Sequence, residues 1–164
     1  MTANCKRSFT LIALSLGLIA ARAHVPHDII YSLGVSPDYA NDGLVFSSSM
    51  QFGEAHLVSH NRGETFSESH AGMRRTLVTG HVFSPDFKRD GTVYLTSRNG
   101  YYKSTDRGRN WVKQSAFADE AILSLCLSKD GSIYLLTKTG LHLVPSNGGK
   151  VRTLKSFGEA TFGK

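Results

Sequence analysis

Residues 104–111 of this chain read STDRGRNW, and residues 59–66 read SHNRGETF. Both octapeptides follow one pattern, Ser-x-Asp/Asn-x-Gly-x-Thr/Asn-aromatic, and they begin 45 residues apart. A second pattern, Ser-Pro-Asp-aromatic-x-x-Asp-Gly, occurs at residues 36–43 and again at residues 84–91. Two patterns that recur together in the same order indicate tandem structural repeats, because chance would have to reproduce both the residues and their order.

Each repeat offers four short strand-like segments separated by turns, which we name A, B, C and D in chain order. In the second repeat they are residues 77–83, 92–96, 101–103 and 111–114. Four strands in about 40 to 45 residues is the length of one β-propeller blade. The sequence therefore predicts an all-β fold of about three four-stranded antiparallel blades. They span about residues 28–69, 76–115 and 121–157.

The third repeat keeps the strands but has lost most of both patterns. Residues 128–131 (SKDG) are a shortened form of the Ser-Pro-Asp pattern. Residues 144–151 occupy the place of the octapeptide, with Gly148 retained and Ser146 where Asp or Asn is expected. Such a repeat fits an atypical terminal unit or a repeat that has drifted.

The octapeptide resembles the Asp-box, and the whole repeat resembles the Asp-box, or BNR, β-propellers. The resemblance covers nearly all of residues 24–164, but sialidases, xyloglucan-cleaving glycosidases, sortilin-type receptors and photosystem II assembly factors share its motifs. It therefore implies a propeller and leaves both an enzyme and a non-catalytic scaffold open. Closed propellers have about four to eight blades. Three blades imply a ring completed by an oligomer or an incomplete propeller, and the blade count favours the incomplete one.

Eight residues of the two Asp-boxes are predicted to have structural roles. The Asp or Asn is expected to accept hydrogen bonds from backbone N–H groups of its own turn. The glycine is expected to adopt a positive φ, and the aromatic residue to bury its ring between neighbouring sheets. The eight residues are Ser59, Asn61, Gly63 and Phe66 in the first copy and Ser104, Asp106, Gly108 and Trp111 in the second.

Residues 1–23 have the pattern of a secretory signal peptide. Lys6 and Arg7 precede an apolar run over residues 9–21, and residues 21–23 (ARA) have the small-x-small form of a cleavage site. The run is shorter than the about 20 apolar residues of a membrane span, so we expect no span after cleavage. The pattern predicts a secreted or periplasmic protein, with an uncleaved anchor as the less favoured alternative.

Charge and cysteine content limit the partners and cofactors. The formal net charge is +6, and it falls to +3 when the three basic residues of the leader are removed. No run of basic residues appears, so we expect no nucleic-acid partner. Cys126 is the sole cysteine outside the leader, which excludes an internal disulfide. We predict no cofactor and no metal, since two carboxylates per Ser-Pro-Asp loop suit calcium poorly. A terminal His24 can chelate copper through its amine and ring, but nothing else in the sequence resembles the copper enzymes that use this arrangement.

The loops from strand D to strand A and from strand B to strand C are expected to share one face of the propeller, opposite the repeated motifs. Loops held by a rigid scaffold are the usual place for binding groups. Arginine matches a carboxylate or sulfate, so Arg74 and Arg75 suit an acidic ligand. The candidate ligand-binding residues are His27, Asp28, Glu54, Arg74, Arg75, Arg98, Asp119 and Glu120.

No complete catalytic site is evident in the sequence. It has no Arg-Ile-Pro segment of the sialidase type, and the adjacent Asp119 and Glu120 would point to opposite sides of a strand. His81, within strand A of the second repeat, is expected to be buried and satisfied by a neighbour. The sequence favours a non-catalytic protein that binds a glycan or protein partner. The alternative is part of a sialidase-like or xyloglucanase-like glycoside hydrolase, and a homo-oligomer is open.

Overall fold

The computed structural model describes residues 29–50 and 54–158, so the predicted signal peptide, His24, His27 and Asp28 lie outside it. The described residues form three four-stranded sheets, in each of which neighbouring strands are antiparallel and follow chain order. This confirms the predicted all-β fold of three blades. The three sheets do not close into a ring.

The elements of each blade follow one scheme. The first blade contains β1 (Ile30–Val35), α1 (Tyr39–Asp42), β2 (Val45–Ser49), β3 (Ala55–Ser59) and β4 (Ser67–Glu68). The second contains β5 (Val78–Phe83), α2 (Phe87–Asp90), β6 (Val93–Ser97), β7 (Gly100–Ser104) and β8 (Val112–Lys113). The third contains β9 (Ile122–Leu127), β10 (Ile133–Thr137), β11 (Gly140–Val144) and β12 (Arg152–Ser156). Strands β1, β5 and β9 contact one another in sequence, so the A strands form the inner side of the assembly.

The Ser-Pro-Asp pattern builds a single helical turn between strands A and B. In the first blade Asp42 accepts the Ser36 hydroxyl at 2.8 Å and the Leu44 N–H at 3.0 Å. Gly43 ends the turn with a left-handed φ of 57°, which a residue with a Cβ adopts only at a cost. The aspartate thus joins the start of the turn to the start of strand B. Asp90 makes the same two hydrogen bonds in the second blade.

The octapeptide forms the turn between strands C and D in each of the first two blades. Asp106 accepts the Asn110 N–H at 2.9 Å, and the Ser104 hydroxyl accepts the Gly108 N–H at 2.9 Å. Asn61 accepts the Thr65 N–H at 3.0 Å in the first blade. These bonds join residues four positions apart, so the motif closes its own hairpin.

The hydrophobic core lies between the blades. One cluster fills the space between the first and second blades and includes Phe46, Val58, Val93, Leu95 and Trp111. A second fills the space between the second and third blades and includes Tyr94, Tyr101, Leu125, Ile133 and Leu135. Each blade is therefore stabilised through contact with its neighbours, as expected of stacked repeats.

In the second blade, the aromatic residue that ends the octapeptide packs on the blade that precedes it. The ring of Trp111 is 1% exposed and lies 5.9 Å from the Phe46 ring and 5.4 Å from the His56 ring, both in the first blade. The prediction of a buried ring is confirmed at Trp111 and wrong at Phe66, which is 43% exposed. The reason is positional, because no blade precedes the first one within residues 29–50 and 54–158.

Candidate functional site

A cavity of about 610 Å³ opens where the three blades converge. It lies at the ends of the A strands and at the turns between strands B and C. Its lining residues are Tyr31, Leu77, Thr79, Ser97, Arg98, Ala121, Ile122, Leu123 and Lys138. We call it the central cavity.

Arg98 and Lys138 give the central cavity a positive rim. Each is the first residue after strand B of its blade, since β6 ends at Ser97 and β10 ends at Thr137. Both side chains are exposed, and none of the described residues that line the cavity is acidic. The remaining lining is largely apolar, as at Leu77 and Ile122, which are buried. This combination suits a ligand with an anionic group and an apolar body.

Sequence reasoning identified Arg98 and missed Lys138. The signal lies in the register, because Lys138 holds in the third blade the position that Arg98 holds in the second. The loss of both repeated patterns from the third blade hid this correspondence. Met50 has the same position in the first blade, where its sulfur accepts the Tyr31 hydroxyl at 2.8 Å.

A second cavity, of about 470 Å³, contains two further candidate residues, Arg74 and Asp119. Its other lining residues are Gly72, Met73, Asn99, Tyr102 and Lys113. Asp119 accepts the Lys113 ammonium at 3.2 Å, so its carboxylate is engaged. Arg74 and Asp119 therefore share a cavity that is separate from the one lined by Arg98.

The remaining candidate ligand-binding residues do not lie together in one site. One terminal nitrogen of Arg75 lies 2.5 and 2.6 Å from the two carboxylate oxygens of Glu68, an ion pair on the surface. Glu54 has a φ of 66° and lines neither cavity. Asp119 and Glu120 precede β9 and lie in a turn, where the Glu120 N–H donates to the Phe117 carbonyl oxygen at 3.2 Å. Within the described chain, neither cavity contains a pair of carboxylates.

A pair of histidines, the buried His56 and the half-buried His81, joins the first two blades. The Nε2 atoms of His56 and His81 lie 3.0 Å apart, and the Phe46 ring stacks on both imidazoles. Nδ1 of His56 lies 2.8 Å from the Ser69 carbonyl oxygen, which can only accept a hydrogen bond, so this nitrogen carries a proton. In the neutral ring, Nε2 of His56 then accepts a hydrogen bond from Nε2 of His81.

The environment keeps both imidazoles neutral. Burial lowers the pKa of His56 to about 4. Burial, followed by the influence of His56, holds the pKa of His81 well below its ordinary value. Nδ1 of His81 is left as an acceptor for the Ser32 hydroxyl, 3.2 Å away. His81 therefore has partners on both nitrogens, and the pair has the character of a structural contact between blades.

The degraded third hairpin leaves a gap between the second and third blades. The gap is a cleft of about 390 Å³, lined by Tyr94, Tyr101 and Lys103 on one side and by Ile133, Pro145 and Gly148 on the other. Tyr94 and Tyr101 are the second residues of β6 and β7, as Phe46 and His56 are of β2 and β3. They form the surface on which the aromatic residue of a complete octapeptide would pack, and residues 144–151 supply no aromatic side chain.

The described residues hold no group of three or more His, Cys, Asp or Glu side chains placed to bind a metal ion. The carboxylates of the A–B turns are already engaged. Asp42 accepts the Arg107 guanidinium at 2.7 Å across the blade boundary, in addition to its bonds within the turn.

The four-stranded antiparallel blades, stacked about their A strands, define the class of protein as a β-propeller. No family model matches the chain, and no curated protein matches it significantly. Solved structures that resemble it are propeller-type proteins of varied function.

Three of these structures show the range. The extracellular domain of BT4673 from B. thetaiotaomicron has 18% identity and a TM-score of 0.58, with 81% of this chain and 17% of that chain covered. YCF48 from Cyanidioschyzon merolae has 16% identity and a TM-score of 0.54, with 78% and 37% covered. An ancestral GH74 enzyme has 22% identity and a TM-score of 0.60, with 79% and 21% covered. The chain thus spans less than two fifths of each of these proteins, and the likeness concerns the fold alone.

Proposed function

We propose that this chain is an exported, non-catalytic β-propeller protein that binds a glycan or protein partner through an anionic group in the central cavity. One observation carries the proposal. The B–C turns of two blades place Arg98 and Lys138 on the rim of a largely apolar cavity whose described lining contains no acidic residue. Guanidinium and ammonium groups are the side chains that pair with carboxylates and sulfates.

Export is supported by the signal-peptide pattern of residues 1–23. The similarity to an extracellular domain agrees with it. Among the described residues, none of the helices has the length and apolar character that crossing a membrane requires.

The test compares two double variants of the secreted protein on immobilised acidic glycans, a neutral glycan and an acidic peptide. Arg98→Ala with Lys138→Ala is expected to weaken binding to the acidic ligands by about tenfold or more. The control, Arg109→Ala with Lys129→Ala, removes two exposed charges from the opposite face and should bind as the parent does. Equal binding by the two double variants would contradict the proposal.

The second candidate is part of a glycoside hydrolase, which the similarity to the GH74 enzyme favours. The described part of both cavities speaks against it, because Asp119 is the sole carboxylate that lines either of them and Lys113 engages it. Glycoside hydrolysis ordinarily uses two carboxyl groups. Release of the aryl group from aryl glycosides by the purified protein, abolished by Asp119→Asn, would support the enzyme and overturn the binding proposal.

A further inference from the structure

We infer that the chain associates with a second copy of itself, and that the exposed side of the first blade of each copy packs on the exposed side of the third blade of the other. The contact between the first and second blades within one chain is the template for this contact between copies, and it shows which residues each exposed surface packs against. We call the two surfaces the leading face, on the first blade, and the trailing face, on the third blade.

The leading face is an inter-blade surface without its neighbour. Leu33 and Val35 hold in β1 the positions of His81 and Phe83 in β5, which pack against the first blade. Leu33 is 66% exposed, and Val35 and Phe66 are also exposed. These three apolar side chains belong to the leading face. It presents to solvent the positions that the second blade packs against the first.

The trailing face carries the complementary positions. Tyr134 and Leu141 are the second residues of β10 and β11, as Phe46 and His56 are of β2 and β3. They form the third blade's surface for an Asp-box aromatic. Tyr134 is 38% exposed, whereas Phe46 beneath Trp111 is fully buried. Phe66 of a second copy supplies the ring that this surface lacks.

Charge complementarity supports the same arrangement. Arg107 of the second blade donates to the Lys88 carbonyl oxygen and to Asp42 of the first blade. Arg62 is the counterpart of Arg107, and its guanidinium donates to the Ala40 carbonyl oxygen, which corresponds to that of Lys88. Arg107 also reaches Asp42 on the preceding blade. By analogy, Arg62 should reach the residue that corresponds to Asp42 on the trailing face of the other copy.

That counterpart is Asp130 on the third blade. It accepts the Ser128 hydroxyl and, at 3.1 Å, the Ser132 N–H, as Asp42 does with Ser36 and Leu44. Asp130 is exposed. An arginine of one copy therefore meets an aspartate of the other at the position where Arg107 meets Asp42.

A second copy is the occupant that satisfies both faces at once. Each copy carries one leading and one trailing face, so two copies related by a two-fold axis form two identical contacts and leave no face open. The result has six blades, within the about four to eight of closed propellers. The dimer would bury the exposed apolar side chains of both faces. Exposed apolar patches usually mark such interaction surfaces.

Cys126 provides a specific test of the register. It is the fifth residue of β9, as Gly34 is of β1. A Cβ on Gly34 would lie 2.8 Å from Cβ of His81, and the counterpart of His81 on the leading face is Leu33. A cysteine at position 33 of one copy should therefore lie within disulfide distance of Cys126 in the other, since bridged Cβ atoms are about 3.5 to 4.5 Å apart.

The experiment measures the mass of the full secreted chain by light scattering, and cross-linking of Leu33→Cys by oxidised glutathione, which takes up the two hydrogen atoms of the thiols. The expected results are a dimer and a reducible cross-linked dimer that Cys126→Ser abolishes. Val112→Cys, exposed on the outer edge of the second blade, is the matched control and should not cross-link with Cys126.

Phe66→Ala and Arg62→Ala should each weaken dimerisation by about tenfold or more, because hot-spot residues at an interface have effects of that size. Phe66 is exposed in the single chain, so its truncation leaves the blade folded, and circular dichroism checks this. A monomer at high protein concentration, or a dimer that Phe66→Ala leaves unchanged, would overturn the inference. A ladder of cross-linked species beyond the dimer would overturn the two-copy ring.

Discussion

A Cβ atom on Gly108 would lie 2.4 Å from Cζ of Phe46, a ring of the preceding blade. Gly108 also has a φ of 83°, in the left-handed region that favours glycine. The glycine of the octapeptide therefore has two functions at this position. It turns the hairpin, and it lets the hairpin approach the neighbouring blade.

We predict that Gly108→Ala destabilises the protein more than Gly148→Ala. Gly148 has a similar φ of 74°, but no other group lies within 4 Å of the Cβ it would gain. Alanine should thus cost about 1 kcal/mol at Gly148 from its φ alone, and about 1–3 kcal/mol more at Gly108 from overpacking. Urea unfolding of the two variants measures the difference. Equal losses would mean that the close approach to Phe46 contributes nothing.

Ser69 links the first blade to the octapeptide of the second. Its buried hydroxyl donates to the Gly108 carbonyl oxygen at 2.9 Å and accepts the Trp111 indole N–H at 3.2 Å. Ser69→Ala leaves both groups buried without this partner, which should lower the free energy of unfolding by about 1–3 kcal/mol. Ser67→Ala, at an exposed position of β4, is the control and should stay within about 0.5 kcal/mol of the parent. The same loss in both variants would exclude this role of the hydroxyl.

The histidine pair between the first two blades should make stability depend on pH. Since folding lowers the pKa of His56 and His81, the unfolded chain binds more protons below its ordinary histidine pKa of 6.5. The stability that depends on these two histidines being neutral is fully present above about pH 6.5, and it is lost as the pH falls towards 4. When the pH is lowered from 7 to 5, the free energy of unfolding should fall by roughly 2 kcal/mol for each histidine that stays neutral in the folded protein. Urea unfolding across this range measures the loss.

The variant His81→Leu tests the assignment of that pH dependence. Leucine occupies the same position in the other blades, at Leu33 and Leu125. The variant should be less stable at pH 7, because Nε2 of His56 loses its partner, and its stability should fall less steeply towards pH 5. Aspartates with lowered pKa values, such as Asp106, titrate below this window. An unchanged slope would show that His81 does not contribute to it.

The sequence predicts the turns whose hydrogen bonds join residues of the same motif. Asp106 and Asn110, or Ser104 and Gly108, are four residues apart, so the pattern that specifies them also specifies their contact. The sequence predicts strand A of the second blade at residues 77–83, and in the structure this strand begins one residue later, at Val78. The blades could be predicted because their turns are local.

Contacts between blades could not be predicted from the sequence in the same way. His56 and His81 are 25 residues apart and meet across a blade boundary, so neither residue alone indicates the pair. The central cavity depends on how three blades are arranged, which brings Arg98 and Lys138 to one rim. The exposure of Phe66 depends on the neighbour that its ring requires. These features follow from the stacking of repeats, which no single repeat encodes.

The last prediction concerns the ion pair between blades. Arg107 donates to Asp42 at 2.7 Å, and its guanidinium lies 5.1 Å from the centre of the Phe87 ring. Because the arginine is partly buried, Arg107→Ala should lower the free energy of unfolding by about 1 kcal/mol at low salt, and by less at about 1 M salt, where charges are screened. Arg109→Ala removes an exposed arginine from the same hairpin and should change stability by less than about 0.5 kcal/mol. If the two variants lose the same stability at both salt concentrations, Arg107 is one more surface charge and the blades are joined by their apolar contacts and buried hydrogen bonds alone.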